Sequence, residues 1–172
     1  MKPVIFAALL SCSLLPTAQA QDIVDCQIKQ YDTYIDASLQ WYQDLTQLTV
    51  TDYPDLKEVA DWFLEGRKHH FELSRAVVHD YLRTEPNKVA TNRSIEAWLQ
   101  LEQTDVKALT KRNDELGKLA KETFHDRQTK PHEKNYELRS AFADLLSHPQ
   151  KIDTALSKYN AQIEQIEQNS CQ

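Results

Sequence analysis

Histidine and acidic side chains at helical spacing are the first candidates for chemistry in this chain. Glu65, His69 and Glu72 lie four and three residues apart, so on a helix they share one face. Glu122 and His125 have the Glu-x-x-His spacing found in carboxylate-bridged di-iron bundles. Such sites need carboxylates from all four helices and a second Glu-x-x-His motif, which this sequence lacks. Solvated helix surfaces explain these residues better, and we expect no metal and no cofactor.

Motifs for covalent catalysis are also missing from the sequence. The chain contains two glycines, and neither a glycine-flanked serine turn nor a glycine-rich phosphate loop occurs in it. A Cys-x-x-Cys-His motif for heme attachment is absent. The single methionine is Met1, which excludes an axial methionine ligand in the mature chain. We therefore expect that the protein is not an enzyme.

Several polar or small residues interrupt the apolar stripes of the predicted helices at similar heights along a bundle. These residues are Tyr34, Gly66, His70, Asn113, Gly117 and His148. One interpretation is a polar layer that fixes the helix register, with glycines that allow the helices to approach closely. The alternative is a ligand pocket in the middle of a bundle, lined by Tyr34, His70, Asn113 and His148.

The predicted second helix also carries a candidate surface for a protein partner. Trp62, Phe63 and Leu64 are consecutive, and successive helical residues differ by about 100° in direction, so at least one of the three must face outward. A basic cluster over 67–70 follows on an otherwise acidic chain. An exposed apolar side chain beside concentrated charge is typical of protein recognition. We predict that the partner contacts Trp62, Leu64, Arg67, Lys68 and His69.

The elements that must position these residues are all predicted to be helices. Strand-like alternation is absent, and apolar residues recur every three or four positions along most of the chain. We predict helices over 23–48, 51–82, 94–124 and about 132–166. The last of these should be kinked or broken near Pro149, because proline lacks the backbone donor that a helix interior requires.

Residues 1–20 have the pattern of a secretory signal peptide. Lys2 precedes an apolar stretch, and Ala18-Gln19-Ala20 fits a small-residue cleavage site. A lipoprotein interpretation with Cys12 lipidated would leave a very short apolar stretch before that cysteine. We therefore expect a single mature domain over 21–172, in the periplasm or outside the cell.

The mature chain would keep two cysteines, Cys26 and Cys171, near its two ends. In an oxidising compartment this pattern predicts one disulfide bond. The bond would place the start of the first helix and the end of the last helix at the same pole. The sequence therefore predicts an up-down-up-down four-helix bundle with its termini joined by a disulfide.

The charge of the chain limits the classes of partner. Removal of residues 1–20 takes away Lys2 and no acidic residue, so 19 basic side chains remain against 26 acidic ones, and the net charge changes from −6 to −7. This balance gives no reason to expect nucleic acid or an anionic membrane surface as a partner, and we expect no membrane span.

The sequence predicts a periplasmic or secreted, non-enzymatic helical binding protein acting on another protein, such as an inhibitor, immunity factor, chaperone or sensor module. The alternative is a four-helix bundle that binds a small molecule or metal.

Overall fold

A computed structural model describes residues 16–169 and Cys171, and within them the chain forms six α-helices, three short 3₁₀ turns and no β-strand. The prediction of an all-α fold is therefore confirmed. The helices are α1 (Pro16–Asp52), α2 (Lys57–Thr84), α3 (Gln103–Leu109), α4 (Glu115–Gln128), α5 (Asn135–Ser147) and α6 (Pro149–Gln168). The predicted signal peptide lies mostly outside the described residues, apart from positions 16–20 at the start of α1. No helix among the described residues is long and apolar enough to cross a membrane.

The connection between α1 and α2 is short because proline chemistry forces a turn. α1 includes Thr51 and Asp52, which the sequence pattern had assigned to the second helix. Pro54 then opens a 3₁₀ turn, Pro54–Leu56, and α2 follows directly. The two helices are therefore antiparallel neighbours, and their ion pairs follow this direction. His79 Nε2 lies 2.7 Å from Asp32 Oδ1, and Arg75 Nη2 lies 2.5 Å from Asp36 Oδ1.

Two faces of α2 are buried, which makes this helix the centre of the molecule. Phe71, Val78 and Leu82 pack in a cluster with residues of α1. Leu73 and Val77 lie on the other face, in a cluster with residues of α3 and α4. The apolar residues of α2 therefore lie on two faces of the helix, and neighbouring helices cover both faces.

The last helix lies antiparallel to α1 along most of its length. Lys151 Nζ bonds Asp52 Oδ2 at 2.6 Å near one end, and Gln30 Nε2 donates to the Ile166 carbonyl at 2.8 Å near the other. This pairing returns the tail of the chain to its head. Cys26 and Cys171 are bonded, with 5.8 Å between their Cα atoms, so the predicted disulfide is confirmed.

The predicted break near Pro149 is also confirmed. α5 ends at Ser147 and α6 begins at Pro149, with His148 between the two helices. The shorter helix α5 covers the first turn of α2, where its residues Leu138 and Ala141 pack with Val59 and Ala60.

The prediction of one continuous third helix over 94–124 is wrong. Ile95 and Trp98 have helical spacing, but they lie in and beside a single 3₁₀ turn and are buried in the α1 cluster. Glu102, which interrupts the apolar seam in the sequence, is the residue that caps α3. With six helices in place of four, the predicted up-down-up-down bundle is not confirmed. Burial of an irregular segment against α1 and α6 outweighs its local helical period.

The turn between α3 and α4 determines where α4 docks. Asp114 caps α4 by accepting a hydrogen bond from the Gly117 amide at 3.0 Å. The Arg112 guanidinium binds both Asp114 and Asp80 of α2, with an Nη1–Oδ2 distance to Asp80 of 3.0 Å. A Cβ atom on Gly117 would lie 2.2 Å from the Arg112 carbonyl oxygen, so this close turn requires glycine. These contacts align α4 antiparallel to α2.

Candidate binding cleft between α2 and α4

A cleft of about 480 Å³ lies between the middle of α2 and the end of α4. We call it the α2–α4 cleft. Its residues from α2 are Trp62, Phe63, Glu65, Gly66, Arg67 and His70, and those from α4 and the following turn are Thr123, His125, Asp126, Arg127 and Thr129. This volume is within the range of small-ligand pockets, about 300–1,000 Å³.

Two side-chain contacts join α2 to α4 beside the cleft. The Thr123 hydroxyl donates to the His69 carbonyl at 3.0 Å, and His69 Nδ1 lies 2.7 Å from Asp126 Oδ2. Gly66 leaves space in the cleft, since no atom lies within 4 Å of the position its Cβ would take. The sequence analysis interprets the glycines as positions where two helices approach closely, but the near neighbour of Gly117 is the Arg112 backbone in the turn before its own helix, and Gly66 has no near neighbour. Gly66 keeps the cleft open.

Trp62 stands at one edge of the cleft. It is 40% exposed, and its ring centroid lies 6.0 Å from that of His132, in the segment that joins α4 to α5. The expectation that one residue of the Trp62 to Leu64 run faces outward is therefore confirmed. The two rings are tilted by 43°, so one side of the exposed indole is covered by His132.

Two arginines of the cleft are packed by neutral neighbours. The Arg67 guanidinium carbon lies 5.1 Å from the Phe63 ring centroid and 5.4 Å from that of Tyr42, as in cation–π contacts. Arg127 Nη1 donates to Gln103 Oε1 at 3.3 Å, and its Nη2 lies 3.4 Å from His70 Nδ1. Within residues 16–169 and Cys171, neither guanidinium forms an ion pair with a carboxylate at 4.0 Å or less. Both guanidiniums therefore keep N–H donors that no carboxylate of the described residues occupies.

His70 is held in its neutral form by this environment. Burial is the main cause that lowers its pKa, to about 4, and the positive charges of Arg127 and Arg67 lower it further. Because an arginine can only donate, His70 Nδ1 must accept the bond from Arg127. A neutral ring that accepts at Nδ1 carries its proton on Nε2, which makes His70 a further donor beside the two guanidiniums.

The two acidic residues of the cleft lie close to the ring nitrogens of His69. Its Nε2 lies 3.1 Å from Glu65 Oε1, and its Nδ1 lies 2.7 Å from Asp126 Oδ2. The sequence had suggested that Glu65 and His69 share a face with Glu72, but Glu72 instead contacts Arg75, with an Oε2–Nε distance of 3.2 Å. Among the described residues, no group of three or more His, Cys, Asp or Glu side chains could hold a metal ion.

The four residues predicted to line a mid-bundle pocket are not brought together. Tyr34 packs against Tyr31, with 5.4 Å between ring centroids. Asn113 is exposed in the turn before α4, and His148 is exposed beside Asp144 at the junction of α5 and α6. Only His70 lines the α2–α4 cleft. Their predicted common position along the bundle requires that residues 94–124 form one straight helix, and they do not. Ligand binding at His70 stays a prediction.

The predicted partner surface overlaps the cleft in part. Trp62 and Arg67 line the cleft and His69 contacts two of its lining residues, whereas Lys68 is exposed and Leu64 is half-buried. Two α4 residues of the cleft, Thr123 and Arg127, are not among the residues predicted from the sequence. Their positions depend on the turn that docks α4 on α2, and no local pattern indicates that docking.

Comparisons with protein-family models, with curated proteins and with solved structures find no significant match to this chain. The α2–α4 cleft is therefore the basis for the proposed function.

Proposed function

We propose that this is a non-enzymatic binding protein acting on another protein, and that the partner docks over the α2–α4 cleft. The observation that carries the proposal is Trp62, a large side chain that is 40% exposed and contacts His132 at the edge of a cavity. Tryptophan is the residue type most enriched among binding hot spots, and such residues act where a pocket lies beside them. Inhibitor, immunity factor, chaperone and sensor module are all roles of this kind.

Exposed charge around the tryptophan supports the same proposal. Lys68 is exposed on α2, and Arg67 and Arg127 line the cleft without a directly paired carboxylate among the described residues. On a chain with a net charge of −6, a local positive region beside an aromatic side chain favours one docking position over the rest of the surface.

The proposed location is the periplasm or the outside of the cell, after removal of residues 1–20. Its support is the signal-like sequence together with the Cys26–Cys171 disulfide, since such bonds persist in oxidising compartments. Edman sequencing of the exported protein tests this location, and an N-terminus at Gln21 is the expected result. Protein retained in the cytoplasm with residues 1–20 intact would contradict it.

The experiment for the proposed function compares three baits in a periplasmic extract of the source organism. The baits are the wild-type protein, Trp62→Ala and Leu146→Ala. Leu146 is 51% exposed and does not line the cleft, so its variant is a matched control for the loss of an exposed apolar side chain.

We expect a partner that the wild type and the Leu146→Ala variant capture and that the Trp62→Ala variant loses. The purified partner should then show the same order of affinities by calorimetry, with a loss of roughly tenfold or more for Trp62→Ala. Equal capture by all three baits would contradict docking at the cleft.

A second candidate function is the binding of a small molecule in the same cleft. The observation in its favour is the volume of about 480 Å³ with His70 in the lining. Native mass spectrometry and metal analysis of the protein as isolated would test it. A retained ligand that is lost in the His70→Ala variant is the expected result, and a ligand-free mass for the wild type would count against it.

A further inference from the structure

The charge inside the α2–α4 cleft indicates the chemistry of what binds there. Each of its two carboxylates, Glu65 and Asp126, lies close to a different ring nitrogen of His69. Its two guanidiniums, Arg67 and Arg127, contact aromatic rings, an amide oxygen and the Nδ1 acceptor of His70 among the described residues. The cleft therefore offers guanidinium N–H donors that no carboxylate of the described residues occupies and that an anion would satisfy.

The walls of the cleft restrict the kind of anion. Phe63 and Trp62 give an apolar side to the cavity, which suits a ligand with a hydrocarbon or aromatic part. Phosphate sites commonly use backbone amides at a helix N-terminus. Here the cleft lies beside the middle of α2 and the C-terminal end of α4. The negative end of the α4 dipole opposes any anion here, and it opposes a dianion more strongly than a monoanion.

We propose that the α2–α4 cleft recognises a carboxylate carried on an apolar stem, with the carboxylate bound by Arg67 and Arg127 and the stem against Trp62 and Phe63. Arginine is suited to this role because its planar fork matches the two oxygens of a carboxylate. The neutral ring of His70 adds one N–H donor. This inference rests on the proposed function only in taking the cleft as the binding site.

The carboxylate has two possible sources, a free organic acid or an acidic side chain of the partner protein. For the first source, the probe is 3-phenylpropanoate, and its matched neutral control is 3-phenylpropanamide. For the second source, the probe is the blocked tripeptide acetyl-Phe-Glu-Phe-amide, with the glutamine analogue as control. Inorganic phosphate is the comparator for anions without a stem.

Binding is measured on the disulfide-bonded, exported protein by amide NMR titration. The chain has only two glycines, whose amide signals fall in a separate spectral region. Gly66 lines the cleft, while Gly117 is buried against the Arg112 turn and serves as an internal control. We expect a saturable shift of Gly66 with a carboxylate probe and no shift of Gly117. The amide control should bind about tenfold more weakly or not at all.

Arginine variants then assign the binding to the two guanidiniums. Arg67→Gln and Arg127→Gln should each weaken carboxylate binding about tenfold, whereas Arg139→Gln, on exposed α5 surface, should leave it unchanged. Circular dichroism of each variant checks the fold, and the comparison of acid with amide on the wild type needs no variant.

The outcomes separate this inference from the proposed function. Stronger binding of the glutamate peptide than of the free acid assigns the carboxylate to a partner protein, and the reverse order assigns it to a small ligand. Equal binding of acid and amide, binding of phosphate alone, or no shift at Gly66 with either carboxylate would overturn the inference. In that case a Trp62-dependent protein partner would leave the proposed function standing. Conversely, carboxylate binding without any such partner would leave the inference standing alone.

Discussion

Arg127 Nη2 lies 3.4 Å from His70 Nδ1, a contact that joins the last turn of α4 to the middle of α2. Since arginine cannot accept a hydrogen bond, the contact requires an unprotonated Nδ1. Protonation of His70 would place a third positive charge beside Arg127 and Arg67 in a largely buried position. The histidine therefore makes the junction of α2 and α4 sensitive to acid.

We predict that His70 lowers the stability of the fold at acidic pH. Its pKa is about 4 in the folded protein, against an ordinary value of 6.5, so the unfolded chain binds the proton more readily. The contribution of neutral His70 to stability is complete above about pH 6.5 and is lost as the pH falls towards 4. The total loss is at most about 3.5 kcal/mol, from about 1.4 kcal/mol per pKa unit.

Urea denaturation between pH 7 and pH 4 checks this prediction, with His70→Gln as the comparison. The other five histidines are present in both proteins, so the difference between the two curves isolates His70. The variant should lose less stability on acidification than the wild type. Parallel curves would contradict the prediction.

The two glycines should respond in opposite directions to replacement by alanine. Gly66→Ala should raise the free energy of unfolding by up to about 1 kcal/mol, because alanine favours the helix and its Cβ meets no atom within 4 Å. Gly117→Ala should lower it by about 1–3 kcal/mol, because its Cβ would overlap the Arg112 carbonyl. Chemical denaturation of both variants measures the two effects, and a shared sign would show that one of the two environments is misassigned.

Removal of the disulfide should destabilise the protein without unfolding it. We expect the Cys26→Ser, Cys171→Ser double variant to lose about 2–5 kcal/mol in free energy of unfolding, because the bond closes a loop across 145 residues. The far-UV circular dichroism spectrum should keep its helical form, since the packing of α6 on α1 does not depend on the bond. A variant without helical signal at low temperature would contradict this account.

Elements with strong local signals could be predicted from the sequence. The stripes of α1, α2 and α6, the break at Pro149 and the disulfide all follow from periodicity, proline chemistry and cysteine number. The region over 94–124 could not be predicted in this way. Ile95 and Trp98 have helical spacing but are buried in an irregular segment by contacts with distant parts of the chain. The polar interruptions at Glu102 and Asn113 were the local sign that the helix ends.

The same reason explains how much of the site could be predicted. The α2 side of the cleft could be recognised from its residue types. These are Trp62 in a run of three apolar residues, Gly66 inside a helix, and Arg67 and His70 in the basic cluster. The α4 side of the cleft depends on Arg112 bonding Asp80 across 32 residues, and nothing in the local sequence indicates this pairing.

Site-specific photocrosslinking tests the central claim, that a protein partner docks over the α2–α4 cleft, most directly. Benzoylphenylalanine would replace either Glu65, which is exposed and lines the cleft, or Leu146, which is exposed and does not. Irradiation in a periplasmic extract should give one major adduct from position 65 and none of that adduct from position 146. Addition of Trp62→Ala to the position 65 protein should abolish the adduct. The same adduct from both positions, or an adduct that persists without Trp62, would contradict the claim.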